Sequence, residues 1–138
     1  MTKVKLTNYT DFDKAQKGEI PPTEVRTVEI DALVDTGAVE LAIPEEVAEK
    51  LGVRTIRRKK VRFADGRVSE VALVGGLLTE ILEREFVTSA FVLPRGTTPL
   101  IGQIPLEALD LVLKPGTQEV ITNPDHPDGA VLDMLSVA

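Results

Sequence analysis

The sequence predicts a mostly β fold with its sheet closed on itself, and three observations predict it. Short runs that alternate apolar and polar residues, or are rich in β-branched side chains, recur along the chain between Gly, Pro, Asn and Asp clusters, at the turn spacings of sandwiches and barrels. Helix signals are confined to short stretches. At 138 residues the chain has the size of one domain with one core.

Residues 4–9 alternate apolar and polar side chains, which fits a half-buried strand with one wet face. Residues 10–23 are polar, with Gly18 and Pro21-Pro22, and are expected to form a loop or a wide hairpin connection. Residues 25–34 are β-rich and begin by alternating, then turn continuously apolar at Ala32-Leu33-Val34, as expected where a strand enters the core. That strand delivers Asp35 into a tight turn, Asp35-Thr36-Gly37-Ala38. Desolvating a lone carboxylate costs several kcal/mol unless it shares a proton or accepts hydrogen bonds. Asp35 is therefore the first candidate for chemistry, with an Asx turn as the structural alternative.

Residues 41–43 form a short apolar strand. Residues 44–52 carry Pro44 at a first-turn position, Glu45 and Glu46 behind it and Gly52 at the end, the asymmetry of a short helix with Val47, Ala48 and Leu51 on one face. Ala64-Asp65-Gly66 separates the alternating runs 59–63 and 67–73, a strong hairpin signal, and this hairpin is expected to project as a lid. Gly75-Gly76 breaks the run; residues 77–82 and 86–93 then read as two strands around Glu83-Arg84-Glu85, with a helix as the alternative for the first. A loop, residues 94–99, leads into Leu100-Ile101-Gly102 and a short helix over 104–110. Residues 111–121 form a hairpin turning at Pro115-Gly116, and the tail from Asn123 is expected to be loose unless a partner chain holds it. The organisation is a single domain, 1–138, with a core of about 25–121, an N-terminal hairpin 1–24 and a C-terminal tail 122–138.

Composition narrows the chemistry. With 22 acidic against 16 basic residues the net charge is −6, and the one basic concentration is Arg54, Arg57, Arg58, Lys59, Lys60 and Arg62. A charge run is usually a solvated face, and nucleic acid is not the expected partner. The absence of cysteine removes disulfides, thiolate metal sites and thiol nucleophiles. The single histidine, His126, lies between prolines and reads as an exposed turn residue; a Ser-His-Asp triad would need Ser69, Ser89 or Ser136, none of them in a nucleophile-elbow context. No metal and no cofactor is expected. The N-terminus lacks the pattern of a secretory signal and no apolar run is long enough to span a membrane, so a soluble, cytoplasmic protein without a membrane partner is expected.

An apolar strand ending in Leu33-Val34-Asp35-Thr36-Gly37-Ala38, a second apolar strand, an Asp-Gly hairpin, two further strands, Leu100-Ile101-Gly102-Gln103 and a short helix follow one another between about residues 25 and 120. This layout resembles a subunit of a retropepsin-like aspartic protease, a small bacterial-type relative of the retroviral enzymes. The resemblance implies an acid-protease half, a closed β-barrel with one or two short helices that is active as a two-fold dimer. It implies that Asp35 is the catalytic aspartate, that the Thr36 hydroxyl joins the two active-site loops across the dimer, and that the Gly37 amide binds the carboxylate. Ala38 would contact substrate, Ala64, Asp65, Gly66 and Arg67 would form the tip of a flap over bound peptide, and Leu100, Ile101 and Gly102 would thread beneath the active-site loop. Leu106 and Leu109 would pack behind that strand.

Chemistry of this kind uses two carboxylates close enough to hold one proton between them, one acting as base on water and the other as acid on the carbonyl. The chain has one Asp-Thr-Gly, so a homodimer about a two-fold axis is expected, acting on a peptide or protein substrate as an aspartic endopeptidase. The alternative is a noncatalytic dimerisation or peptide-binding module on the same fold. The chain departs from the retroviral pattern at Val39, where an acidic residue is common, at Gln103, where Arg is common, and in having a single glycine at the hairpin tip.

Overall fold

Alternation decides where each strand lies. The computed structural model describes residues 1–133; residues 134–138, which include Ser136 and the end of the expected tail, lie outside the described residues. The elements are β1 (Thr2–Asn8), α1 (Tyr9–Gln16), a 3-10 turn (Pro22–Glu24), β2 (Thr27–Val34), β3 (Leu41–Pro44), α2 (Glu45–Leu51) and β4 (Arg54–Arg62). They continue with β5 (Val68–Ile81), β6 (Arg84–Leu93), β7 (Leu100–Ile101), α3 (Gln103–Ala108), β8 (Leu111–Leu113) and β9 (Val120–Thr122).

The strand order β1-β2-β7-β3-β6-β5 returns to β1, because β1 pairs antiparallel with β2 on one side and with β5 on the other, giving a closed six-stranded barrel. Closure removes free sheet edges from the body of the domain. Inside it Val4, Leu6, Leu41, Ile43, Leu77, Ile81 and Ile101 have no exposed surface. Each such side chain contributes about 1.5–3 kcal/mol by leaving water. α2 closes one side with Val47, Ala48 and Leu51, the face expected, and ends at Gly52 in the left-handed region (φ 63°), whose N–H donates to Ala48 and Glu49 carbonyls. Pro44, however, is the N-cap and the last residue of β3 instead of a first-turn residue.

β4 lies outside the ring. Among the described residues it pairs only with β5, from Arg54↔Gly75 to Arg62↔Val68, so β4 and the first half of β5 leave the barrel as the expected hairpin. Gly75-Gly76 does not break the run: β5 is continuous from Val68 to Ile81, and the pair falls where its register on β6 shifts, between Val74 and Leu77. The segment 77–81 is strand, not helix. The small hairpin at Pro115-Gly116 is present as β8 and β9.

The expected loop after β1 contains α1. Its signal is polar: Asn8 caps the helix by accepting from the Asp11 N–H at 3.0 Å. The Asn8 side chain also donates to the Leu51 carbonyl at 2.8 Å, joining α1 to the end of α2. Asp11 is buried and accepts from the Arg26 backbone N–H (3.1 Å), Nε (2.8 Å) and a terminal guanidinium nitrogen (3.0 Å). Those donors hold its carboxyl below the usual range, with burial opposing them.

The expected loose tail is pinned as far as Val131. Asp110 Oδ1 accepts from the Asn123 side chain at 3.0 Å, while Oδ2 accepts from the Val131 N–H at 3.1 Å and lies 2.6 Å from His126 Nδ1. Buried Arg84 donates to the carbonyls of Leu109, Asp110 and His126. His126 is thus part of a half-buried polar cluster and not an exposed turn residue.

Candidate active site

β2 keeps its alternation to its end. Val28, Ile30, Ala32 and Val34 turn inward and Thr27, Glu29, Asp31 and Leu33 outward, so Asp35 falls in the outward set. The continuous apolar run at residues 32–34 does not carry the strand into the core, and Asp35 is exposed on the single chain. Its Oδ1 accepts the Gly37 N–H at 2.9 Å, and its carbonyl accepts the Ala38 N–H at 3.0 Å, which fixes the tight turn. A Cβ at Gly37 would stand 3.2 Å from Asp35 Oδ1, so a side chain there would press on the carboxylate.

Leu100, Ile101 and Gly102 are brought directly under this turn. β7 inserts between β2 and β3, pairing parallel with β2 (Leu33↔Leu100, Val34↔Ile101) and antiparallel with β3 at Ala42↔Leu100. The Asp35 N–H donates to the Ile101 carbonyl at 2.9 Å, and the Gln103 and Ile104 N–H groups donate to the carbonyls of Ala38 and Val39, each at 2.9 Å. Gly102 lies so close beneath the loop that a Cβ would meet the Glu40 carbonyl oxygen at 2.5 Å and the Ala38 oxygen at 2.7 Å. Both sides of the Asp35 turn are thereby bound to one segment, the end of β7 on one side and the start of α3 on the other. Leu106 and Leu109 are buried behind it.

Ala64, Asp65, Gly66 and Arg67 form the tip of the projecting hairpin. The Phe63 N–H donates to the Arg67 carbonyl (2.8 Å), the Gly66 N–H to the Phe63 carbonyl (2.9 Å) and the Arg67 N–H to Asp65 Oδ1 (2.9 Å), with Gly66 at φ 85°. This is a three-residue loop closed by a glycine in the left-handed region. The Arg67 guanidinium stacks 4.8 Å from the Phe63 ring centroid. Within one chain no hydrogen bond joins this tip to the Asp35 turn.

With the Asp-Thr-Gly turn, its supporting strand and the projecting hairpin placed, the comparison with known families is decisive. The family model described as gag-polyprotein putative aspartyl protease matches residues 22–108, more than half of the chain. The chain belongs to this family. The match to this retropepsin-like aspartyl protease domain runs from before β2 to the end of α3 and includes the turn's own strand and the backbone groups hydrogen-bonded to it. No curated protein matches the chain.

Around Asp35 the domain exposes apolar side chains. Leu33 is 46% exposed, Val39 61% and Ile104 39%, and the Ile104-to-Val39 backbone bond makes two of them neighbours. A groove of about 640 Å³ runs between α2, the hairpin and the end of β6, and Asp35 does not line it. Among the described residues there is no cluster of His, Asp and Glu able to hold a metal ion, and no helix is long and apolar enough to cross a membrane.

Sequence reasoning missed the residues that tie the site's surroundings together. Asn8, Asp11 and Arg26 hold the start of β2 against α1 and α2, and the signal for them was Asn8 three residues before an acid, an N-cap pattern without an apolar stripe. Arg84 and Asp110 gave no local signal, because their partners lie 13 to 42 residues away in sequence.

Proposed function

We propose that the protein is a homodimeric aspartic endopeptidase whose site is completed by a second copy, each chain giving one Asp35. The observation that carries this is the Asp35 turn itself: a single Asp-Thr-Gly, hydrogen-bonded at Gly37 and clamped onto β7, presented outward beside exposed Leu33, Val39 and Ile104. A turn held this firmly while facing solvent is suited to meeting its own two-fold copy, and an isologous contact would bring the two carboxylates together. Two adjacent carboxylates cannot both ionise at low cost and hold one proton between them. The ionised one takes a proton from water as the oxygen attacks the scissile carbonyl carbon. The protonated one donates to the carbonyl oxygen, and the tetrahedral intermediate collapses with proton delivery to the leaving amine. Thr36 and Gly37 would hold the loops in register, Ala38 and the tip residues Ala64, Asp65, Gly66 and Arg67 would border an extended peptide, and Leu100, Ile101 and Gly102 would support the floor.

The test is cleavage of a peptide library across acidic to neutral pH, read by mass spectrometry, with Asp35→Asn as control and a transition-state-mimic inhibitor. Cleavage is expected for the native protein and loss of at least about a thousandfold in Asp35→Asn, as for removal of a group acting in the chemical step. Sedimentation would show a dimer. A well-folded dimer that neither cuts peptides nor binds the inhibitor is a noncatalytic module, and the endopeptidase reading then fails.

A further inference from the structure

The projecting hairpin and the body of the protein carry opposite charge. Residues 54–67 hold seven of the chain's 16 Lys and Arg and one of its 22 Asp and Glu, a local net charge of +6 that leaves −12 for the rest. Arg54, Arg57, Arg58, Lys59, Lys60 and Arg62 all lie on β4, and every one is exposed. Despite the excess of acids, none of these six is within ion-pair distance of a carboxylate among the described residues, whereas cations of the body such as Lys17, Arg26, Arg84 and Arg95 are.

β4 is also the terminal strand of the sheet, paired with β5 along one edge and, among the described residues, with no strand along the other. Its free edge offers a row of backbone N–H and C=O groups to an added strand. From the register, Arg57 and Lys59 occupy one face of the hairpin and Arg58, Lys60 and Arg62 the other. An extended chain beside β4 would send successive side chains to alternate faces and would meet cations on both. Consecutive acids, not alternating ones, match that arrangement, and each opposite-charge cross-strand pair is favourable. Charged side chains, Lys above all, also guard a free edge against aggregation; here they are concentrated to six cations in nine residues.

We propose that the β4 edge recognises acidic polypeptide segments, so that the substrates of the endopeptidase are proteins carrying runs of Asp or Glu. This rests on the endopeptidase reading. The test compares labelled peptides of equal length bearing a Glu run, a Gln run or a Lys run, with Asp35→Asn protein for binding by fluorescence anisotropy and native protein for kcat/KM. The Glu peptide is expected to bind best, by about tenfold over the Gln peptide at low salt, with the advantage shrinking as salt screens these exposed charges. The combined Arg57→Glu, Lys59→Glu, Lys60→Glu variant, exposed positions whose folding is checked by its melting temperature, should reverse the order in favour of the Lys peptide. Equal affinities, an order unmoved by the charge reversal, or tighter binding of a single-stranded RNA oligonucleotide than of the Glu peptide at the same salt would overturn the proposal. Cleavage indifferent to acidity sinks it while the endopeptidase reading stands. Absence of all cleavage with the Glu peptide still bound first sinks the endopeptidase reading and leaves the recognition edge.

Discussion

Gly102→Ala is expected to be among the most damaging single-methyl additions to this domain. The glycine's own backbone, φ −91° and ψ −170°, is open to alanine, so the cost is steric and not conformational. The added Cβ would lie 2.5 Å from the Glu40 oxygen, 2.7 Å from the Ala38 oxygen and 2.7 Å from the Val39 carbonyl carbon, all of them backbone atoms that cannot rotate away. Relief requires the loop to lift from β7, which stretches the bonds from Gln103 N–H to Ala38 and from Ile104 N–H to Val39. Overpacking costs about 1–3 kcal/mol. Two weakened hydrogen bonds add about 1 kcal/mol each. The sum, about 4 kcal/mol, corresponds to a fall of about 15 °C in melting temperature for a chain of this size. Urea unfolding followed by circular dichroism measures it, with the slope m unchanged so that the midpoint reports stability. A loss below about 0.5 kcal/mol would mean that the Asp35 loop is not clamped onto β7, and the account of a pre-set turn would be wrong.

Asp11→Ala should cost about 2 kcal/mol by stripping three Arg26 donors of a buried acceptor, discounted for the exposed side of Arg26, and chemical denaturation would show it; a neutral effect would refute the cap-and-clamp role. Asp110 gives a pH signature. Hydrogen bonds from the Asn123 side chain first, then the Val131 N–H and His126, lower its pKa from an ordinary 3.8 to about 2 against the opposing effect of burial. A lowered folded-state pKa stabilises fully above the ordinary value and is lost as pH falls through about 4 to 2, so the stability gap between native protein and Asp110→Asn should be constant above that window and close within it. Identical acid-unfolding curves for the two proteins would contradict this.

The parts that were legible in the sequence are those set by neighbours in the chain. Asp65-Gly66 between alternating runs specifies the hairpin, and Gly52 after an acidic first turn specifies α2, because each signal and its consequence lie within a few residues. Non-local pairing was not legible: nothing near Leu100 says that it lies between Leu33 and Ala42, and nothing near Leu6 says that it meets Thr79 as well as Val28. The Asp35 turn was visible as a motif, but its exposure was misjudged. The continuous apolar run 32–34 reads as a strand entering the core, whereas the period of two places Leu33 outward together with Asp35. Helix α1 and the pinned tail were hidden for one shared reason. Both are held by polar atoms at distant positions, Asp11 with Arg26 and Asp110 with Asn123 and His126, and hydrophobic periodicity is blind to such partners.

These distant polar contacts also bear on what the protease domain needs in order to hold its site. The family match begins at residue 22, yet β1 lies before it and supplies the strand that joins β2 to β5. Without β1 the ring is open, β2 has a bare edge, and the buried Val4 and Leu6 leave the core, together worth about 3–6 kcal/mol of hydrophobic burial. That is a large fraction of the stability of an ordinary domain. The match ends at residue 108, and the segment beyond it is bound back by Arg84 and Asp110 to the start of β6, which runs parallel to β3 beside the strand under Asp35. A chain without cysteine cannot staple its ends with disulfides. Here two polar hubs, Asn8 at one end and Asp110 at the other, take that role, and the rigidity of the Asp35 turn depends on residues outside the span that identifies the family.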